Sequence, residues 1–335
     1  MEIKAINVNS LFSEIFWKLR VSGVEDQSRN GPVLRFPEPV LTTILNPRER
    51  VLFHAGRDAN PIFHCLEAIH MLAGRRDVAF LSQFNSRIPL YSDDGVNFNA
   101  AYGYRMRHHF GKDQLAAVID TLKNDPGSRQ AVVQLWDAAD LGRETKDKAC
   151  NTQMIFAVNR GKLELTVTNR SNDIFWGYAG ANAVHFTIIQ EFVATALGLE
   201  VGSYRTFSTN LHLYTELYNA VEYLESPPDV HEYNYYDGPT RTTPIVQGGS
   251  AENWLRDAEE FCEDPHFART YWDPFFLEVA HPMAMVSLSR KRGGTGLEWV
   301  QRMQPGDWKL AVTEWVERRE LKNLKKSTKS SKTQA

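Results

Sequence analysis

Cysteine is scarce in this chain. Cys65, Cys150 and Cys262 are the only three among 335 residues. An odd, scattered set argues against a disulfide framework, and the spacing fits no metal site, so no metal is expected. What remains is a thiol free to act as a nucleophile. Net charge is also slight, at −3. No global positive field gathers nucleic acid, which is therefore not an expected partner. No apolar run reaches the ~18 residues that span a bilayer. The opening MEIKAINVNS has no basic-then-apolar leader. The expectation is a cytoplasmic protein with reduced thiols and no membrane association.

What is present suits a globular chain with a large core, in one domain or two unequal ones. Residues 11 to 22 read as a short amphipathic helix, and Pro61 to Leu72 as another, with Ile62, Cys65, Leu66 and Ile69 at core spacing. Leu115, Val118, Ile119 and Leu122 mark a third, which stops at the turn Asp125-Pro126-Gly127. Ala131 to Trp136 is a short β-branched run. Gln153 to Val158 and Leu163 to Asn169 flank Asn159-Arg160-Gly161, a hairpin pattern. Ala183 to Leu197 is apolar nearly all round and predicts a buried helix. Tyr214, Leu217, Tyr218 and Val221 predict a further helix. Residues 226–250, rich in Pro, Gly, Tyr and Thr, predict a loop or insertion, and 254–319 read as helical and aromatic-rich. The five lysines of 321–335 predict a disordered basic tail. The expected organisation is one α+β domain over residues 1–320 followed by that tail.

The chemistry-bearing segment runs ACNTQMIFAVNRGKLELTVTNRSNDIFWGYAGANAVHF from Ala149 and resumes as FSTNLHLY up to Tyr214. Upstream lie SRNGP (28–32), EAIHMLAG (67–74), AYGYRMR (101–107) and NDPGSRQAVVQLW (124–136). Each piece alone is weak. Their order and spacing together resemble the thymidylate synthase superfamily, over roughly residues 10–220. That resemblance implies a large mixed sheet packed with helices, one sheet face lying at a homodimer interface. It also implies a pyrimidine nucleoside monophosphate as substrate and 5,10-methylenetetrahydrofolate as one-carbon donor.

The residue types fit that chemistry. C5 of a pyrimidine is a poor nucleophile until a thiolate adds to C6, after which C5 attacks an electrophilic methylene. Cys150 holds the matching position, and nearby guanidinium groups are expected to lower its pKa. A 5′-phosphate calls for arginines. By resemblance, Arg29 and Arg170 bind it from one subunit, Arg129 from the other, and Ser171 adds a hydroxyl. Asn182 reads the base edge, while His212 and Tyr214 bind the sugar 3′-hydroxyl. Glu67 organises water and protonates the ring or the folate, and Tyr102 assists loss of the C5 proton. Asp173 binds the pterin ring, with Trp176 and Gly177 beside it. The family has three residues between that glycine and the asparagine; here there are four, from Tyr178 to Ala181, so one residue is inserted before Asn182.

Four departures from the family pattern share a direction. Asn151 replaces a histidine after the nucleophile. Neither of two tryptophans occurs in the stretch matching Asn85 to Asp94. Ala179-Gly180-Ala181 replaces a Pro-Phe that packs on the folate, and a lysine-rich end replaces a short apolar one. Lost indoles admit water to the methylene intermediate, and hydration in place of hydride transfer gives a 5-hydroxymethyl product. The chain therefore resembles the hydroxymethylase branch. Reductive methylation of dUMP and a non-catalytic nucleotide- or RNA-binding role are the alternatives. Asn182 alone cannot choose the base, because one flip of its amide suits uracil and the other cytosine. Asn151 and the altered loop lean the reading towards CMP or dCMP.

Overall fold

The computed structural model describes residues 1–217 and 235–333. Strand β1 (Glu2–Ala5) leads into helix α1 (Val8–Ser22), whose first turn is closed by the Asn7 side chain accepting from the Asn9 and Ser10 amides. Then follow β2 (Val24–Ser28), β3 (Gly31–Arg35) and β4 (Val40–Ile44). Helix α2 (Pro61–Leu72) begins with Asn60 as cap and Pro61 in its first turn, where a missing N–H costs nothing. Short helices α3 (Val78–Ser82) and α4 (Tyr102–Tyr104) precede α5 (Gln114–Asn124), which Asp113 caps, and strand β5 (Val132–Gln134).

Strands β6 (Asn151–Asn159) and β7 (Lys162–Asn169) form the expected hairpin. Arg160 (φ 51°) and Gly161 (φ 77°) both take left-handed conformations at its turn, as a tight hairpin between twisted strands requires. Strand β8 (Asn172–Asp173), helix α6 (Asn182–Leu197), β9 (Glu200–Ser208) and β10 (Leu211–Tyr214) complete the sheets. Helices α7 (Ala251–Glu263), α8 (His281–Lys291), α9 (Leu297–Arg302) and α10 (Asp307–Thr333) close the chain.

Two sheets result. Six strands run in the order β1-β4-β9-β7-β6-β5, and four in the order β2-β3-β10-β8. The six-stranded sheet is mixed: β1 with β4 and β7 with β9 pair in parallel, the other neighbours antiparallel. Helix α6 is buried along most of its length against β7 and β9, which explains a sequence apolar on all faces. On the opposite sheet face, Val132 and Phe207 are exposed and Ile155, Thr166 and Thr168 half-buried. The α+β class and the large mixed sheet are as the sequence implied.

Three expectations need correction or restriction. Tyr214 ends strand β10 and does not begin a helix; its register with Val33 extends the four-stranded sheet. Tyr218, Val221 and residues 226–234 of the expected loop lie outside the described residues, whereas 235–250 are irregular. The lysine-rich end, expected to be without order, continues as backbone of α10 to Thr333. Lysine and leucine are good helix formers, and extending a helix is far easier than starting one. The preceding turns are anchored, since Arg318, Arg319 and Lys322 all engage Asp58.

Helix α4 sits so close to α2 that only glycine fits between them. A Cβ at Gly103 would lie 2.2 Å from the Met71 carbonyl oxygen and 2.6 Å from its Cα, both backbone. Gly103→Ala is expected to lower stability by about 1–3 kcal/mol or more through overpacking, read as a fall in denaturation midpoint. An unchanged midpoint would contradict this packing.

Candidate active site

The site lies on the seam between the two sheets. β7 passes into β8 through Arg170 and Ser171, and β9 into β10 through Thr209 and Asn210. The two crossings are bonded side by side: the Thr209 amide donates to Asn169 O at 3.0 Å, and the Asn172 amide to Asn210 O at 2.8 Å. Functional side chains from both sheets therefore reach one place. The large sheet supplies Cys150 just before β6 and Arg170 just after β7. The small sheet supplies Arg29 from the β2–β3 turn and His212 and Tyr214 from β10. Helix α2 adds Glu67 and helix α6 adds Asn182.

A cavity of about 790 Å³ collects these groups. Cys150, Glu67, Tyr102, Arg29, Arg170, Ser171, Asn182, His212 and Tyr214 all line it. Ile88 and Tyr91 stand in its wall, in the stretch where the resemblance led one to look for tryptophans. Four expected residues are not in the lining: Arg129, Asp173, Trp176 and Gly177. Arg129 is exposed beyond α5, next to the edge strand β5.

The loop that carries Cys150 is fixed from two sides. The Tyr102 hydroxyl oxygen accepts from the backbone N–H of Cys150 at 2.9 Å and of Asn151 at 3.1 Å. Arg170 donates through Nε to Ala149 O at 2.7 Å, and its Nη2 lies 4.0 Å from Cys150 Sγ. Lys146 and Asp147 tie the preceding loop down, Lys146 Nζ to Ser92 O at 3.2 Å and Asp147 Oδ2 to the Ala100 amide at 2.7 Å.

Electrostatics correct one expectation. Burial pushes the Cys150 thiol above its ordinary value; Arg170 and Arg29 pull it down, but Asp147 and Asp173 push with the burial. The guanidinium groups thus oppose the desolvation without overcoming it in the free protein. Burial also raises the Tyr102 phenol, with Cys150 adding to the effect. Cys65 and Cys262 are buried, and their thiols are raised by that burial.

Asn182 belongs to a line of amides. Its Nδ2 donates to Asn172 Oδ1 at 3.1 Å, Asn172 Nδ2 donates to Ser208 Oγ at 3.1 Å, and Asn151 Nδ2 reaches Asn182 Oδ1 at 3.5 Å. Gly177 makes room for it, because a Cβ there would lie 2.9 Å from Asn182 Nδ2 and 3.0 Å from Asn172 Oδ1. The segment before Asn182, where the sequence suggested one residue more than the family pattern, has π-type winding over Ile174–Ala181, with Ala179 and Gly180 leaving helical geometry. A single inserted residue in a helix is commonly taken up this way.

Asp173 caps that winding through Oδ1, which accepts from the Trp176 amide. Its Oδ2 is buried and takes no hydrogen bond from any described residue. Burial raises this carboxyl to about 6, against the pull of Arg57. Arg57 stacks over the Phe175 and Trp176 rings at 4.6 and 4.7 Å.

His185 was not singled out in the sequence. It lines the same cavity, is 4% exposed, and places Nε2 3.2 Å from Glu67 Oε2. The available signal was its position three residues after Asn182, on one face of a helix. Among the described residues no cluster of His, Cys, Asp and Glu suits a metal ion, and no helix is long and apolar enough to cross a membrane.

Comparison with known proteins agrees with this geometry. The thymidylate synthase family matches residues 61–229. A deoxyuridylate hydroxymethyltransferase of Pseudomonas phage M6 is 44% identical over 95% of this chain and 94% of its own length. One of Bacillus phage SP01 is 42% identical over 65% of this chain, which spans 59% of that longer relative. Among solved structures, thymidylate synthase from T4 phage aligns with a TM-score of 0.55 at 21% identity, over 65% of this chain and 81% of that one, a likeness of fold. This chain belongs to the thymidylate synthase family.

Proposed function

We propose that the chain is a folate-dependent 5-hydroxymethyltransferase acting on a pyrimidine nucleoside 5′-monophosphate, with deoxyuridylate as its substrate. The observation that carries this reading is the single cavity in which a cysteine thiol, two arginines, an amide, a carboxylate and the His212–Tyr214 pair face one another. Pure nucleotide binding would use the arginines and the amide, but has no need of the thiol. Relatives named for deoxyuridylate support uracil over the cytosine towards which the sequence leaned. Asn182 is compatible with it: its amide can donate to O4 and accept from N3–H.

In this reading Cys150 adds to C6 and Tyr102 assists removal of the C5 proton. Arg29, Arg170 and Ser171 hold the phosphate. Asn182 orients the base, and His212 and Tyr214 hold the sugar 3′-hydroxyl. Arg129 of the partner subunit completes the phosphate site in a homodimer. Its exposure beside β5, outside its own chain's cavity, and the uncovered sheet face carrying Val132 and Phe207 support that arrangement. 5,10-Methylenetetrahydrofolate supplies the one-carbon unit. The unpartnered Asp173 Oδ2 suits a pterin N–H, with Trp176 and Gly177 beside it, and Ile88 and Tyr91 supply apolar wall. Glu67 exchanges protons with the departing folate nitrogen and with water.

Three outcomes test the proposal. Cys150→Ala is expected to abolish turnover while leaving nucleotide binding intact, whereas Cys65→Ala and Cys262→Ala keep most activity; a fully active Cys150→Ala enzyme would end the covalent mechanism. Mixing inactive Arg129→Ala with inactive Cys150→Ala should restore part of the activity through hybrid dimers, and a fully active monomer would refute the shared site. Incubated with the folate and each of dUMP, UMP, dCMP and CMP, the enzyme should convert dUMP into a product heavier by one CH₂O, with no dihydrofolate formed. A methyl product with matching dihydrofolate would mean thymidylate synthesis, and preference for a cytosine nucleotide would overturn the choice of base.

A further inference from the structure

A buried imidazole beside Glu67 has no role in the reaction as described so far. His185 sits on α6, one turn beyond Asn182 and on the same face. Its Nε2 is buried and 3.2 Å from Glu67 Oε2, yet out of line for a hydrogen bond, and no described residue supplies another partner. Behind it lies His64, its ring edge-on at 6.4 Å. Burial holds His64 far below the usual histidine range, so that neighbour is uncharged.

A buried ring nitrogen left without a partner is unfavourable unless something polar reaches it. The cavity provides that access, because both His185 and Glu67 line it. With the ring proton of His185 on Nδ1, Nε2 and Glu67 Oε2 are two acceptors side by side, within one helical turn of Asn182, and suit a small molecule with two O–H donors. Such a water gives one O–H to His185 Nε2 and the other to Glu67 Oε2, and its lone pairs then face the nucleotide.

We propose that His185 and Glu67 together hold the water whose oxygen becomes the hydroxyl of the product. The inference rests on the hydroxymethyltransferase reading and names the residue that delivers its water. In the step, the water oxygen forms a bond to the exocyclic methylene carbon of the Cys150-bound nucleotide. One O–H bond breaks and its proton goes to Glu67. The π pair of the C5–methylene bond moves into the ring as an enolate through O4. That enolate re-forms the C5–C6 double bond and expels the Cys150 thiolate by breaking C6–S. The proton released by water balances the one taken up when the folate nitrogen departs, so the step needs no oxidant or reductant.

His185 touches the reacting water in this account, and the same seat receives the product hydroxyl. Binding measured without folate therefore tests it. The wild-type protein is expected to prefer 5-hydroxymethyl-dUMP over thymidylate, and His185→Phe to reduce that preference by about tenfold, one hydrogen bond's worth. His185→Gln, which keeps a polar atom near Nε2, should retain part of it. With the folate present and C5-tritiated dUMP, tritium release by His185→Gln should stay near the wild-type rate while hydroxymethyl product falls by roughly tenfold or more. An added thiol should then capture the stalled methylene as a 5-thioether. An unchanged binding preference in both variants, or tritium release and hydroxymethylation falling in parallel, would overturn the role of His185. Wild-type enzyme that releases no tritium would instead overturn the hydroxymethyltransferase reading itself.

Discussion

The site depends on one phenol. Tyr102 gives its hydroxyl oxygen to two consecutive backbone N–H groups, those of Cys150 and Asn151. Those amides open strand β6, so the tyrosine fixes both the height of Cys150 and the register in which the strand begins. Tyr102 is positioned in turn by Gly103, its neighbour, which packs directly on the α2 backbone at Met71. Helix α2 also carries Glu67. The thiol and the carboxylate are thereby linked through packed elements, α2 to α4 to the start of β6. Leaving two buried amide groups without an acceptor would cost about 1–3 kcal/mol each, a large share of the stability of an ordinary domain.

The charge arrangement follows from the seam between the sheets. Arg170 stands where β7 gives way to β8; its Nε holds the Ala149 carbonyl and its Nη2 lies 4.0 Å from Cys150 Sγ. It is at once a strut for the Cys150 loop and a cation facing the cavity. Burial of Cys150 disfavours the thiolate, and Arg170 and Arg29 limit that penalty. The balance of these opposing effects leaves the Cys150 thiol above its ordinary value in the free protein.

Much of this was legible in the sequence, for physical reasons. Helices α2, α5 and α6 and the β6–β7 hairpin carry regular apolar periods and strong punctuation, namely Asn60-Pro61, Asp113 and Arg160-Gly161. Cys150, Arg170, Ser171 and Asn182 lie on or beside those elements, so an ordered motif located them. The β2–β3 pair was harder to read: VEDQS is exposed or half-buried throughout, and an outer hairpin with little burial has no alternation to detect. Tyr214 was read as part of a helix because Tyr214, Leu217 and Tyr218 mimic helical spacing, yet pairing with β3 decided the outcome. His185 was hidden by its surroundings, since a histidine inside an otherwise apolar helix resembles a satisfied core residue. Its Nε2 shows itself only when α2 brings Glu67 alongside. The thiol's raised pKa was likewise unreadable, because sequence reveals the arginines but not the depth of burial.

The π-type winding before Asn182 accounts for how the site divides. Adding one residue to a helix rotates everything on one side of it by about 100° relative to the other. Had Ile174–Ala181 been wound as ordinary α-helix, either α6 or the segment from Asp173 would face elsewhere. The π-type winding confines the change to Ile174–Ala181, so α6 keeps its register and both Asn182 and His185 stay on the cavity side. The adjustment falls on the upstream residues. Asp173, Trp176 and Gly177 stand outside the cavity lining, where Asp173 caps the winding, Arg57 stacks on Trp176, and Gly177 gives clearance to the Asn182–Asn172 amide pair. Asn182 and His185 thus line the cavity while the upstream segment packs beside it. On the proposed reading, α6 carries the nucleotide side of the site and the rewound segment the folate side, so the two sides can vary separately.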